Sequence, residues 1–219
     1  MKIANALEMK MGLPKFSALI CIGLKSIVTT GATLLAFAVH VAWAVDPITG
    51  AVPISPSPAS ETLKPGLAVT YSYERYVHVD ELETLRNPVV GEPLANVSHR
   101  TRDGNVLTAN QAMLVGAHIR GLIRFDAPGS YVFRIESNDG VKAKIGGQQI
   151  WIDPEVHGNR WSPPLPVVIE TPGWYELWIN YYQKKGTSAL RLAWTVPGTN
   201  EEAIVPPDSL AHVEAQVGQ

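Results

Sequence analysis

Cysteine is almost absent from this chain of 219 residues, which contains a single Cys. One thiol cannot build an internal disulfide framework or a thiolate zinc site. Charge is also scarce: charged residues make up 17% of the chain, and the formal net charge is −2. The sequence therefore lacks the basic field that attracts proteins to nucleic acid, and we expect no nucleic-acid partner.

Long amphipathic helices are missing after the first 44 residues, where the best helical candidate, over 79–86, is short. Catalytic motifs are missing as well, since no G-x-S-x-G nucleophile motif occurs. Most Asp and Glu residues lie beside turns or on polar strand faces, which disfavours a hydrolase with paired carboxylates. We therefore expect a protein that is not an enzyme.

The longest uncharged apolar run lies near the N-terminus, over residues 26–41. Lys15 and Lys25 precede it and Ala42-Trp43-Ala44 follows it, a pattern typical of a secretory signal peptide cleaved after Ala44. The run has about 16 residues, fewer than the ~20 that a spanning helix needs, so cleavage is favoured over an uncleaved membrane anchor. Cleavage removes the only Cys, four Lys and one Glu, leaving 14 Lys+Arg, 19 Asp+Glu and a formal charge of −5. The expected product is periplasmic or extracellular, with no membrane span.

Four segments follow from these patterns: a signal peptide over 1–44, a Pro/Ser-rich linker over 45–62, one domain over 63–212 and a C-terminal tail over 213–219. Proline removes a backbone donor, so the linker sequence forms neither a helix nor a central strand. Apolar and polar residues alternate through the domain, as half-buried strands do. With turns at Gly, Pro, Asn and Asp, this pattern predicts an all-β fold, an antiparallel β-sandwich of lectin-like jelly-roll type with long loops.

Two polar segments are candidates for metal binding. Asp153, Glu155 and His157 would share one side of an extended strand, but Pro154 interrupts regular pairing, so a polar loop is the preferred interpretation. The Ser-Asn-Asp-Gly sequence over 137–140 offers oxygens that suit calcium, although it also reads as a simple hairpin turn. Because calcium takes six to eight oxygens, a second loop would have to lie alongside.

Five Trp residues follow residue 44, and each can pack in a core or stack on a sugar ring. Trp194 alternates with Leu190 and Leu192 and is expected in the core, whereas Trp161 lies in a Pro-rich loop and is the best candidate for an exposed ring. Four scattered histidines are expected at the surface: His78, His99, His118 and His212.

Six motifs occur in order along the domain, beginning with Pro-Gly-Leu at 65–67. The most specific is G-L-I-R-F-D-A-P-G-S-Y-V-F-R-I-E-S-N-D-G over 121–140. The others are G-G-Q-Q-I-W-I-D at 146–153, T-P-G-W-Y at 171–175, A-L-R-L-A-W at 189–194 and I-V-P-P-D-S-L at 204–210. Together they resemble the protective-antigen fourteen-kilodalton domain family, which is named after anthrax protective antigen. The resemblance implies a β-sandwich, and several members of that family bind carbohydrate.

The resemblance also implies a site. In lectin-type members, two adjacent Asp residues in the loop matching Asn138 and Asp139 hold calcium, sometimes through a cis peptide, and the calcium ligates sugar hydroxyls. A second loop, here 183–188, completes the shell. This sequence departs from that pattern at Asn138, which removes one charge, and at Lys184 and Lys185, which repel a cation.

The resulting hypothesis is a secreted, lectin-like carbohydrate-binding module with a glycan or cell-surface polysaccharide as partner. If binding needs a cofactor, that cofactor is expected to be calcium. The alternative is a structural or protein-interaction accessory subunit at the cell surface or in the periplasm, which contacts another surface protein and has no sugar ligand. The expected calcium ligands are Asn138, Asp139 and Gln183, and the expected further ligand-binding residues are Lys184, Lys185 and Trp161.

Overall fold

The alternating segments of the sequence form fourteen strands and four short 3₁₀ helices within residues 45–218, the part of the chain that the structure, a computed structural model, describes. The strands are β1 (Lys64–Pro65), β2 (Ala68–Ser72), β3 (Val89–Val90), β4 (Ser98–Thr101), β5 (Val115–Phe125), β6 (Gly129–Ser137), β7 (Val141–Ile145), β8 (Gln148–Asp153), β9 (Arg160–Trp161), β10 (Leu165–Ile169), β11 (Gly173–Gln183), β12 (Ser188–Thr195), β13 (Glu202–Ile204) and β14 (Leu210–His212). The 3₁₀ helices are Ser60–Thr62, Val79–Glu83, Pro207–Ser209 and Glu214–Gln216.

Two antiparallel sheets form the sandwich, which confirms the predicted fold class. The larger sheet has eight strands in the order β1-β14-β5-β11-β7-β8, with β2 paired to β5 and β3 paired to β2. The smaller sheet has six strands in the order β10-β6-β12-β13, with β4 on β12 and β9 on β6. The central strands β5 and β11 pair along their full length, from Val115 opposite Gln183 to Phe125 opposite Gly173.

The core lies between the inner faces of the two sheets, where the apolar set of the alternating pattern is buried. The Phe125 ring, at the end of β5, lies toward one end of this core, with its centroid 4.7 Å from that of Tyr131 and 5.1 Å from that of Tyr175 in edge-to-face geometry. Trp194 packs against the same rings and is 8% exposed, as its alternation with leucines predicts. These aromatic contacts fix the spacing of the sheets at this end of the sandwich.

Two histidines predicted at the surface are buried: His118 lies under a layer that partly covers the outer face of the larger sheet, and His212 shares the inner face of β14 with Leu210. The helix Val79–Glu83 packs on β11, and His118 lies beneath it with its ring bonded to the Leu82 carbonyl. His212 is 3% exposed, and its Nδ1 lies 3.0 Å from the Gly66 carbonyl oxygen. Strand alternation alone does not reveal such a third layer.

The Pro-rich segment before residue 63, predicted as a linker, lies against the sandwich instead of standing away from it. Ile48 N donates to Pro166 O (2.8 Å) in the smaller sheet, and Val52 N donates to Gly146 O (3.0 Å) in the larger one. Ile54 N extends this contact by donating to the Trp174 carbonyl (2.8 Å). Extended proline-rich backbone keeps its remaining donors free, and here it uses them to pair with the edges of both sheets.

The connections at 126–128 and 138–140 join the two sheets. Strand β5 lies in the larger sheet, β6 in the smaller and β7 in the larger again. The interpretation of 137–140 as a hairpin turn is wrong, because an alternation with a period of two shows which face of a strand is buried but not which sheet the strand joins. The turn at Gly146 and Gly147 is a true hairpin between β7 and β8, with both φ angles positive. Within residues 45–218, no helix has the length and apolar character needed to cross a membrane.

Candidate functional site

Three loops meet at one end of the sandwich, where β6 and β11 end. Asn138 N donates to the Ala189 carbonyl (2.9 Å), and Lys184 N donates to Asp139 Oδ2 (2.7 Å). The third loop, 154–159, joins through Asp139 N, which donates to the His157 carbonyl (2.9 Å). The structure therefore brings the two predicted loops, 138–140 and 183–188, together and adds the 154–159 loop, whose polar loop character was predicted but whose place beside them was not.

Asp139 is the buried centre of this loop cluster. The residue is only 2% exposed, and its backbone adopts a left-handed conformation with φ of 62°. Burial raises the pKa of Asp139, and the hydrogen bond from the Lys184 amide opposes that rise. Left-handed backbone is tolerated by Asp because its short polar side chain bonds locally. The carboxylate therefore orders the partner loop from inside the protein.

Gly140 allows the close packing that follows Asp139. A Cβ at this position would lie 2.3 Å from the Tyr182 ring and 2.7 Å from the Pro154 carbonyl oxygen. Tyr182 N also donates to the Gly140 carbonyl (3.0 Å). Only glycine fits between β11 and the third loop at this point.

Gln183 lies under the second loop and is fully buried. Its Nε2 donates to the Lys185 carbonyl (2.9 Å), the Thr187 carbonyl (3.1 Å) and Asn138 Oδ1 (3.3 Å). Its Oε1 accepts from the Tyr181 hydroxyl (2.8 Å) on the core side. The oxygen expected to face a cation thus faces the core, and the amide nitrogen faces the loop.

The predicted ligands Asn138, Asp139 and Gln183 come together, but the arrangement of their atoms does not fit a calcium ion. The Gln183 oxygen is bonded to Tyr181, and the Asn138 oxygen accepts from the Gln183 amide. The Asn138–Asp139 peptide bond is trans, and no group of three His, Cys, Asp or Glu side chains in the described residues could hold a metal ion. One carboxylate with no converging free oxygens falls well short of a calcium shell.

The accessible rim beside these loops combines cationic and apolar side chains. Lys185 is exposed, Lys184 is partly exposed, and the Lys184 carbonyl accepts from Leu114 N (3.1 Å). Leu114 is 38% exposed with φ of 57°, and the neighbouring Met113 is 51% exposed. An exposed, branched residue held in left-handed backbone is unusual away from functional sites. The irregular segment before β5 carries no periodic signal, so the sequence analysis missed these two residues.

Trp161 lies beside the cluster on the outer face of the smaller sheet. Its ring is partly exposed, with the guanidinium groups of Arg134 and Arg191 at 5.1 Å and 5.0 Å from its centroid. The same segment contacts the loop through Asn159, whose Oδ1 accepts from Asn138 Nδ2 (2.5 Å). Trp161, predicted as a ligand-binding residue, therefore directly follows the third loop in sequence, and two arginines flank its ring.

Two other features of the sequence have structural explanations. Trp178 lies between Arg120 (4.3 Å to the ring centroid) and Lys144 (4.8 Å), its cross-strand partners on either side, so cations cover its faces. The 153–157 segment is a polar loop, as preferred, in which Asp153 Oδ2 accepts from Arg160 Nε (2.7 Å). Neither feature adds to the loop cluster a surface on which a ligand could stack.

Comparison with known proteins gives the same architecture. Residues 108–208 match the family model of the PA14 domain, and no curated protein matches the chain. The PA14 domain of the MpAFP antifreeze protein is 16% identical, with a TM-score of 0.58, covering 77% of this chain and 98% of that one.

Two carbohydrate-binding structures are also similar. The PA14 sugar-binding domain of an RTX adhesin is 17% identical, with a TM-score of 0.53 and coverage of 68% of this chain and 98% of that chain. The A domain of epithelial adhesin 6 from Candida glabrata, in complex with Galb1-3GlcNAc, is 16% identical, with a TM-score of 0.56 and coverage of 78% and 95%. The sandwich described above is therefore the fold of PA14 domains, and residues 108–208 carry the match to that family.

Proposed function

We propose that this chain is an exported, non-catalytic carbohydrate-binding module of the PA14 type. The observation that carries the proposal is the convergence of loops 138–140, 154–159 and 184–187 at one end of the sandwich, with an accessible rim around them. The similarity to a sugar-binding PA14 domain and to an adhesin domain in complex with a disaccharide supports it. Export with cleavage after Ala44 would place these loops in the periplasm or outside the cell.

The chemistry of the rim suits a sugar. Sugar rings have apolar C–H faces and hydroxyl edges, so they need apolar contacts beside hydrogen-bond donors. Met113 and Leu114 supply exposed apolar area, and Lys184 and Lys185 supply ammonium donors. Trp161 adds a partly exposed aromatic edge on the side of the third loop. No catalytic step is proposed, because the single buried carboxylate of the cluster is fully used in holding the Lys184 amide.

Glycan-array binding of the exported protein tests this function. The double variant Lys184→Ala/Lys185→Ala and the single variant Trp161→Ala should each reduce binding to the recognised glycan by at least about tenfold, roughly 1.4 kcal/mol. Lys64→Ala in β1 and Trp174→Ala at the opposite end of β11 from the cluster are the controls, and they should bind as the wild type does. Absence of binding to any glycan would overturn the proposal and leave the accessory-subunit alternative.

The export part of the proposal is tested separately. The intact mass and N-terminal sequence of the exported protein should show a chain that begins at Val45. A mature chain that retains residues 26–41 would contradict cleavage and indicate an anchor instead.

A further inference from the structure

The Gln183 amide nitrogen lies at a point where three oxygens converge. The carbonyls of Lys185 and Thr187 lie 2.9 Å and 3.1 Å from it, and Asn138 Oδ1 lies at 3.3 Å. Two of these oxygens belong to the second loop and one to the first, so a single buried group holds the two loops together. Oxygens that point at a common centre from two loops are the arrangement in which proteins usually bind a cation.

The orientation of the amide follows from the surrounding groups. With Oε1 turned toward the loops, four oxygens would face one another with no hydrogen between them, which is strongly unfavourable in a buried site. With Nε2 there instead, its two N–H hydrogens are shared among the three loop oxygens, and Oε1 accepts from the Tyr181 hydroxyl (2.8 Å). The buried amide therefore satisfies both its donors and its acceptor.

The charges around this point agree with a neutral occupant. In the two loops that surround this point, 138–140 and 184–187, Asp139 is the only carboxylate, and its Oδ2 accepts from Lys184 N instead of pointing at a cation. Lys184 and Lys185 add two positive charges on the same loop. A divalent ion would meet this repulsion with at most one counter-charge, whereas an amide group meets none.

We propose that the Gln183 amide takes the place of a cation, so that the two loops are ordered without calcium. The ligand contacts of this site are then made by side chains alone. This second statement rests on the proposed function, whereas the ordering of the loops does not.

Thermal unfolding of the exported wild-type protein is the first test. Its melting temperature should agree within about 1 °C in EDTA and in about 10 mM CaCl₂, whereas a calcium site of extracellular affinity would raise it by several degrees. A rise of that size would overturn the proposal. If calcium changes neither the melting temperature nor glycan binding, the result supports both the ordering of the loops without calcium and ligand contacts made by side chains alone.

Gln183→Glu is the second test, because it replaces the two donors with a carboxylate facing the same three oxygens. We expect the melting temperature of this variant in EDTA to fall by roughly 5–10 °C, and calcium to restore most of the loss. Terbium luminescence sensitised by the nearby Tyr181 should appear in the variant and be absent from the wild type. Gln149→Glu, the same change at an exposed position, is the matched control and should respond to neither ion.

A third variant tests the proposal even if Gln183→Glu does not fold, and the stability measurements do not depend on finding a glycan. Gln183→Met removes the donors without adding charge, so it should lower the melting temperature with no recovery in calcium, even if Gln183→Glu does not fold. A Gln183→Met variant as stable as the wild type would overturn the proposal. Failure to find a glycan would defeat the proposed function but leave the calcium-independent folding measurable.

Discussion

The hydrogen bond from the Lys184 amide to Asp139 leads to a quantitative prediction for three substitutions at residue 139. Asp139→Ala removes a buried, charge-assisted bond of 2.7 Å, which costs about 1.5–3 kcal/mol. It also places Ala in left-handed backbone with φ of 62°, which costs about 1–2 kcal/mol more. We therefore expect the free energy of unfolding to fall by about 2.5–5 kcal/mol.

The other two substitutions separate these contributions. Asp139→Gly loses the bond but tolerates the backbone, so its loss should be smaller than that of Ala. Asp139→Asn keeps an acceptor and tolerates left-handed backbone, so its unfolding free energy at neutral pH should stay within about 1 kcal/mol of the wild type or exceed it. Equilibrium denaturation in urea gives the three values. An Asp139→Ala protein as stable as the wild type would refute the reasoning.

The pH dependence of the same pair tests the electrostatic part. Because burial raises the pKa of Asp139, the part of its contribution to stability that depends on protonation is fully present below the ordinary Asp pKa and is lost as pH rises through the raised pKa. The stability of Asp139→Asn relative to the wild type should therefore be greatest near neutral pH and decrease as the solution is made acidic. A relative stability that increases on acidification would contradict the sign of this shift.

Three further predictions concern neighbouring residues, and each is checked by urea denaturation. Gly140→Ala should lower the unfolding free energy by roughly 2–3 kcal/mol, because its Cβ would overlap the Tyr182 ring; an unchanged value would mean that the third loop moves aside freely. Tyr181→Phe should cost about 1–2 kcal/mol, since the buried Gln183 oxygen loses its donor; no loss would place a water in that role. Leu114→Asn should be neutral or slightly stabilising, because Asn accepts the positive φ that strains Leu; a loss above about 1 kcal/mol would show that Leu114 packs more than its 38% exposure indicates.

The fold could be predicted because alternation reports burial directly. Trp194 follows Leu190 and Leu192 at intervals of two, and all three lie in the core. Alternation does not report which sheet a strand joins, so the crossing at 138–140 was read as a hairpin. It also does not report a covering layer, so the burial of His118 under the helix Val79–Glu83 was missed.

The sequence allowed us to predict which two loops form the site, but not how their polar atoms are oriented. Family resemblance indicated that residues 138–139 and the loop after β11 meet, and they do. The direction of the Gln183 amide depends on the Tyr181 hydroxyl and two carbonyls that converge only in the folded chain. The rim residues Met113 and Leu114 come from an irregular segment, which has no pattern from which exposure could be inferred.

Residues 48–54 contact the sandwich at the end opposite the loop cluster. Ile48 bridges to Val167, which lies opposite Tyr131 near the beginning of β6, and Pro53 bridges to Tyr175 near the beginning of β11. Both β6 and β11 run toward the loop cluster. Gln183 follows Tyr175 by eight residues along β11, a distance of about 27 Å at the rise of an antiparallel strand. A chip, bead or fused partner attached ahead of Val45 would therefore hold the protein by its far end and present the three loops to the solution.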